Sequence, residues 1–160
     1  MMTITRLYRF PASHRLHSPR LSAAENARLY GKCNNPFGHG HDYVLEVTAT
    51  GILDPGTGLL LPISKLDRLV HETVLQLFAY SNINVDLPHF KHLVPTTENV
   101  TLVIADLLEQ HWDAYLGDVP ARLHRVHIQE TERNGFEVLL NAPQHTSISD
   151  PRPESVTLNA

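Results

Sequence analysis

Three histidines carry the first chemical hint. His39 and His41 stand two residues apart in Gly38-His39-Gly40-His41. In extended backbone, residues i and i+2 point the same way, so both imidazoles share one face. Gly38 and Gly40 flank His39 and allow the backbone to pass close to an ion. His14 is expected just after a first strand, from where it could meet the pair across a sheet. Three neutral imidazoles around one ion form the ligand set of a catalytic Zn²⁺, with a fourth position open for water or substrate. The spacing alone suits a surface His-x-His pair and an unrelated third histidine equally well.

Two further side chains have chemical potential. Cys33 lies in Gly31-Lys32-Cys33-Asn34-Asn35, where the adjacent Lys32 favours a thiolate. It can serve as a base or nucleophile, or be a small buried hydrophobe. Glu130 shares a strand face with Val126 and Ile128, so its carboxylate falls at the end of an apolar row. A buried carboxylate needs donors. A ring with two adjacent N–H groups, such as a 2-amino-pyrimidinone, would supply them; the other reading is a strand-end glutamate reaching solvent. The chain has 11 histidines. His71, His89, His92, His111, His124, His127 and His145 match no ligand spacing and read as surface or half-buried residues.

Composition bounds what can hold these groups. The chain has 160 residues, 42% hydrophobic and 19% charged, enough for one packed domain. A net charge of −4 excludes a global cationic field for nucleic acid. Apolar runs such as 58–62 are too short to span a bilayer. Residues 1–10 lack the apolar stretch of a signal peptide. A single cysteine permits no internal disulfide and fits the reducing cytoplasm.

The elements follow from periodicity. Residues 3–10 alternate as a strand, with Ile4, Tyr8 and Phe10 on one side. Residues 11–40 read as a long loop with a helical turn around 23–29. Residues 41–50 alternate again, with Tyr43, Leu45, Val47 and Ala49 on the buried face, and 54–58 is a turn. A first helix is expected from a Ser64 cap with Asp67 three residues on, its stripe being Leu66, Leu69, Val70, Thr73, Val74, Leu77 and Phe78. A second opens at Thr96-Thr97-Glu98-Asn99, with Val100, Val103, Ile104, Leu107, His111 and Tyr115 as its stripe and Gly117 as its stop. Strands over 122–131 and 136–140 follow, joined at Asn134-Gly135. The order predicts an α+β domain over residues 1–142, a four-stranded antiparallel sheet with two helices on one face. A tail over 143–160 is expected to fray. The open sheet edges point to self-association.

Several segments together resemble one family. Phe10-Pro11-Ala12-Ser13-His14-Arg15-Leu16, the run from Tyr30 to Tyr43, Pro95-Thr96-Thr97-Glu98-Asn99 and Glu130-Thr131 closely resemble 6-pyruvoyl-tetrahydropterin synthase, a family that includes the 6-carboxytetrahydropterin synthases. The likeness runs from about residue 4 to residue 140. It implies the T-fold, with sheets of three subunits joined into a barrel and two trimers stacked as a homohexamer. It implies Zn²⁺ on His14, His39 and His41, and a pterin substrate anchored by Glu130 with Thr96 and Thr97. It implies Cys33 as the proton-abstracting base.

The sequence departs from the family at one chemically important place. The family's Asp-His pair after the first helix falls on Ala79 and Tyr80 here. Ala79 cannot accept a proton, and a tyrosine phenol is a far poorer base than imidazole. Lys65 and Pro62 stand where the family has aspartate and asparagine. The resemblance therefore implies a lyase acting on 7,8-dihydroneopterin triphosphate with an altered proton relay, in which Tyr80 is a weak candidate for the pair's role and His71 or His89 a substitute should turnover prove normal. The alternatives are a retro-aldol lyase releasing a 6-hydroxymethyl pterin and a pterin-binding protein without turnover.

Overall fold

The computed structural model describes residues 1–140, so the tail and the expected domain end at 142 lie outside the described residues. The main strands are β1 (Met2–His14), β2 (His39–Gly51), β4 (Ala121–Gln129) and β5 (Gly135–Leu139). The two-residue β3 (Ser81–Asn82) pairs parallel with β1, giving the order β3-β1-β2-β4-β5. The other pairings are antiparallel. The sheet thus has one strand more than expected; two residues are too short for any periodic signal.

The helices are α1 (Ala23–Tyr30), α2 (Ile63–Val70), α3 (Gln76–Phe78), α4 (Ile83–Asp86) and α5 (Thr97–Leu116). α1 is a full helix where one turn was expected. Ser22 and Glu25 close a capping box at its start, which supplies two orphan N–H groups with partners. α2 and α3 form one continuous rod through a π-turn over His71–Leu75. The rod begins at Ile63 with Pro62 in the cap position, without a side-chain cap, so Ser64 does not serve as one. The π-turn inserts an extra residue, and Leu77 leaves the expected stripe at 43% exposure while Phe78 stays buried.

β1 reaches His14, four residues beyond the expected end. Pro11 does not break it, because proline is tolerated where its missing N–H faces an edge. On that edge its carbonyl accepts the N–H of Tyr80 at 2.6 Å. In β2, Tyr43, Leu45, Val47 and Ala49 are all fully buried under the helices, as the alternation predicts. α5 buries Thr101, Ala105, Leu108, Trp112 and Leu116 besides Val100, Ile104 and Leu107. Its apolar face is rotated away from His111, which is exposed, because the helix packs against both α2 and the sheet. The β4–β5 turn is closed between Thr131 and Asn134, not at Asn134-Gly135. A Cβ at Gly135 would lie 2.6 Å from Nε2 of His127, the outer end of a side chain that can shift aside, so the position does not demand glycine.

Among the described residues, no helix is long and apolar enough to cross a membrane. Asp67, expected to support a helix cap, instead ties α2 to β1. It accepts from Arg6 Nη2 at 2.8 Å, Arg6 Nε at 3.1 Å and Tyr8 Oη at 2.8 Å. Partial burial opposes ionisation, but the hydrogen bonds outweigh it and hold Asp67 below the usual carboxylate range. A depressed carboxylate stabilises the fold above its unfolded pKa and loses that contribution as pH falls through the folded value. Asp67→Asn should therefore lower stability at pH 7 by about 0.5–1.5 kcal/mol, a figure kept small by solvent screening. Urea denaturation should show the gap between variant and wild type closing as pH falls below about 4.

Candidate metal centre

The ladder between β1 and β2 builds the site. Its register sets His14 opposite His39 and Ala12 opposite His41. Residues two apart share a face, so all three imidazoles meet at one end of the sheet. One nitrogen from each ring lies within 4.8 Å of the others, and His14 Nε2 is 3.2 Å from His39 Nε2. Two ligands at 2.0–2.1 Å in a tetrahedron are separated by about 3.3 Å. The rings cross nearly edge to face, at 61°, 89° and 82° for the three pairs. The expectation that these three residues converge is met by the backbone register.

The protonation pattern suits ligation. His14 is 1% exposed, and its Nδ1 lies 2.8 Å from the carbonyl of Pro95. Donating there leaves the Nε2 lone pair for an ion, as in many metal-bound histidines. Burial pushes the pKa of His14 down, although the Pro95 hydrogen bond opposes it. Burial, then the charge on His41, lowers that of His39. Both effects favour neutral imidazole. Among the described residues, His39 Nδ1 and His41 Nε2 are buried without a hydrogen-bond partner. Buried unpaired nitrogens are costly, and a cation would satisfy those that face it. The donor set fits a metal ion.

Gly38 lets the strand enter. Its φ is +70°, and a Cβ would lie 2.9 Å from the carbonyl oxygen of His14. The close approach is to the neighbouring strand rather than to an ion. Gly40 is not required in this way, since a Cβ there would make an ordinary 3.6 Å contact with Ala12 O.

Glu130 follows the end of β4 and turns towards the histidines. Its Oε1 accepts the hydroxyl of Thr97 at 2.6 Å and lies 3.6 Å from Nε2 of both His14 and His41. Thr97 is thus committed to Glu130. Thr96 caps α5, its Oγ1 accepting the N–H of Asn99 at 3.3 Å. Cys33 sits in a one-turn helix, Gly31–Asn34, joined to β1's exit by the Leu16 N–H donating to its carbonyl at 2.8 Å. Burial, then the charge of Glu130, pushes its thiol pKa up. Lys32 is exposed and gives no compensating depression. The expected lysine assistance is therefore absent.

The remaining departures are also placed. Lys65 pairs with Asp118 at 2.6 Å, far along the chain from the histidines. Ala79 packs against the core, and Tyr80 is 89% exposed at a φ of +63°. Among the described residues, no hydrogen bond joins Tyr80 to Cys33. Sequence reasoning missed Pro95, the carbonyl partner of His14. A metal histidine generally needs such an acceptor, but nothing in a sequence says which carbonyl supplies it.

Residues 3–140 match the family model described as 6-pyruvoyl tetrahydropterin synthase. The chain belongs to the 6-pyruvoyl tetrahydropterin synthase family. It is 42% identical over 132 residues to 6-pyruvoyl tetrahydrobiopterin synthase of Poecilia reticulata, covering 82% of this chain and 85% of that one. The same enzyme of Homo sapiens is 40% identical over 132 residues, covering 82% and 86%. The structure of Caenorhabditis elegans 6-pyruvoyl tetrahydropterin synthase superposes with a TM-score of 0.78 at 36% identity, covering 88% of this chain and 96% of that one. The α+β architecture is thus the family's T-fold.

Two substitutions test the centre. His39→Ala and His41→Ala should each lose stoichiometric metal in plasma emission analysis, and full occupancy in either would overturn the assignment. Gly38→Ala should weaken metal retention against a chelator while leaving the far end of the sheet intact, because the added methyl forces β2 away from His14.

Proposed function

We propose that this protein is a zinc-dependent pterin lyase acting on 7,8-dihydroneopterin triphosphate, with an altered proton relay. The observation that supports it most is the convergence of three histidines, with Glu130 beside them, in a member of this family. His14, His39 and His41 would hold Zn²⁺, which when bound lowers the pKa of the side-chain hydroxyls and polarises the carbonyl that develops. Cys33 would take a carbon-bound side-chain proton. Triphosphate leaves with the electron pair of its C–O bond, and tautomerisation moves hydrogen from side chain to ring. No external reductant is needed. The thiol must be kept reduced, which suits a cytoplasmic setting.

Glu130, with Thr97 and Thr96, is proposed to contact the substrate. Anchoring a ring through two N–H groups would use both carboxylate oxygens; Oε1 already accepts from Thr97 and keeps a second lone pair for a ring N–H. The 3.6 Å distances to His14 and His41 favour a second role for Glu130, holding a proton from the hydroxyls bound at the metal. Glu130→Gln separates the two. Ring anchoring predicts at least about tenfold weaker pterin binding by calorimetry. The hydroxyl role predicts near-normal binding and a loss in kcat of about 10²-fold or more.

The relay sets the pH dependence. Cys33 acts as a base only as thiolate, and its pKa is raised. Little thiolate is present at pH 7, so the rate should climb with pH as the thiol ionises. Ala79 and Tyr80 offer no acid–imidazole pair to assist it, Tyr80 being a weak substitute. Incubation with 7,8-dihydroneopterin triphosphate and identification of every pterin product tests this. Slow 6-pyruvoyl-tetrahydropterin formation rising from pH 7 to 9, abolished in Cys33→Ala and raised in Ala79→Asp with Tyr80→His, is expected. A fast, pH-independent rate would overturn the altered relay. A 6-hydroxymethyl product would identify the retro-aldol reaction, and binding without product a non-catalytic role.

We also propose a homohexamer, a dimer of trimers, because β5 leaves an open edge and Leu7 is 62% exposed on the uncovered sheet face. Light scattering at micromolar concentration should give six chains; a monomer would overturn this.

A further inference from the structure

We propose that Tyr80 is a specificity-determining residue whose ring packs against the side chain of the bound pterin, beside the metal. This rests on the reading in which the hydroxyls of that side chain bind an ion held by His14, His39 and His41. Tyr80 carries a strain that nothing inside the chain offsets. Its φ is +63°, and among the described residues no other non-glycine residue has a positive φ. For a bulky L-residue that region is disfavoured, because Cβ crowds the following carbonyl oxygen. Packing in the core could compensate such strain, yet Tyr80 is 89% exposed. Its hydroxyl, unlike those of Tyr8 and Tyr115, makes no hydrogen bond among the described residues.

The backbone on both sides imposes the conformation. The N–H of Ala79 donates to Leu75 O at 3.0 Å and that of Tyr80 to Pro11 O at 2.6 Å. Ser81 then pairs with Ala12, and its Oγ donates to Phe78 O at 2.8 Å. The chain thus passes from the end of α3 into β3 through a single left-handed residue, a position that glycine or asparagine fills at little cost. Strain of this kind persists where the surroundings over-determine it, and it clusters at binding sites. A large aromatic ring held there, away from any packing, points to a contact with something outside the chain.

The cavity at Tyr80 says what that contact is. It measures about 370 Å³, and Tyr80 lines it together with Pro11, Ser13, His41, Asp42 and Ser81. His41 is one of the three clustered imidazoles, so the cavity adjoins the place where the substrate's hydroxyls are proposed to bind. Glu130 lines a different cavity, of about 230 Å³. Tyr80 therefore serves the side-chain end of the ligand rather than the end at Glu130. A phenol ring presents an apolar face that packs on a carbon chain without any charge, and such a wall keeps water from the reacting carbons. The contact is made by the ring and not by the hydroxyl, since Ala79 beside it offers no acceptor for a phenolic proton. The aromatic residue thus selects shape at a place where an acid–imidazole pair would move protons.

Calorimetric titration of the zinc-loaded protein tests this with two probes: neopterin, and 6-methylpterin, whose side chain has no hydroxyls. The fully oxidised ring of both blocks tautomerisation, so binding is read without turnover. Tyr80→Ala should weaken neopterin binding about fivefold to tenfold and leave 6-methylpterin within about twofold of the wild type. Tyr80→Phe should restore neopterin binding to within about twofold. Tyr80→Asn, which suits a positive φ, should melt no lower than the wild type. Unchanged neopterin affinity in Tyr80→Ala, equal losses for the two ligands, or no rescue by Tyr80→Phe would overturn the contact. A lower melting temperature of Tyr80→Asn would also overturn it, by showing that the ring packs within the chain. Neopterin binding that depends on Tyr80, without turnover of 7,8-dihydroneopterin triphosphate, would support the contact while sinking the proposed reaction. Turnover with Tyr80-independent binding would sink the contact alone, and neopterin bound no better than 6-methylpterin would sink both.

Discussion

The 2.8 Å hydrogen bond from His14 Nδ1 to the carbonyl of Pro95 is the contact on which the site depends. It joins the last residue of β1 to the residue preceding the cap of α5. Three successive residues there have three tasks. Pro95 orients a ligand ring, Thr96 caps the helix and Thr97 holds Glu130. A backbone carbonyl is a good partner for this purpose. Its position is fixed by the helix start, and it cannot rotate away as a side chain can. The tautomer of His14 is therefore secured by the same geometry that begins the longest helix.

The electrostatics of the centre are those of a place lacking positive charge. Burial keeps His14 and His39 towards neutrality, and burial with Glu130 keeps Cys33 towards its protonated form. A cation there would reinforce the neutrality of the two histidines and pair with the carboxylate of Glu130.

The absence of the acid–imidazole pair is a local matter. Ala79 packs on the core and Tyr80 turns out to solvent, while the backbone N–H of Tyr80 still bonds Pro11. The turn that leads into β3 keeps its backbone role with different side chains. The fold and the three-histidine cluster do not depend on what those side chains are, so the residues present at 79 and 80 leave both in place.

How much was legible depended on how local each feature was. The alternation of Tyr43, Leu45, Val47 and Ala49 marked β2, because a half-buried strand imposes a period of two. The His39–His41 spacing likewise marked two ligands on one face, and Thr96 a helix start. Cys33 and Glu130 could be singled out by type and neighbours, but Lys32 was misread as a partner because adjacency in sequence says little about direction in space. The π-turn that moves Leu77, the rotation of α5 away from His111 and the two-residue β3 arise from packing against distant elements. So does the pairing of His14 with His39, since a cross-strand register is set by the whole ladder. The residue types and their local spacing determined which groups could bind a metal; only the folded sheet decided that they meet, and only the start of α5 decided which nitrogen of His14 faces the other imidazoles.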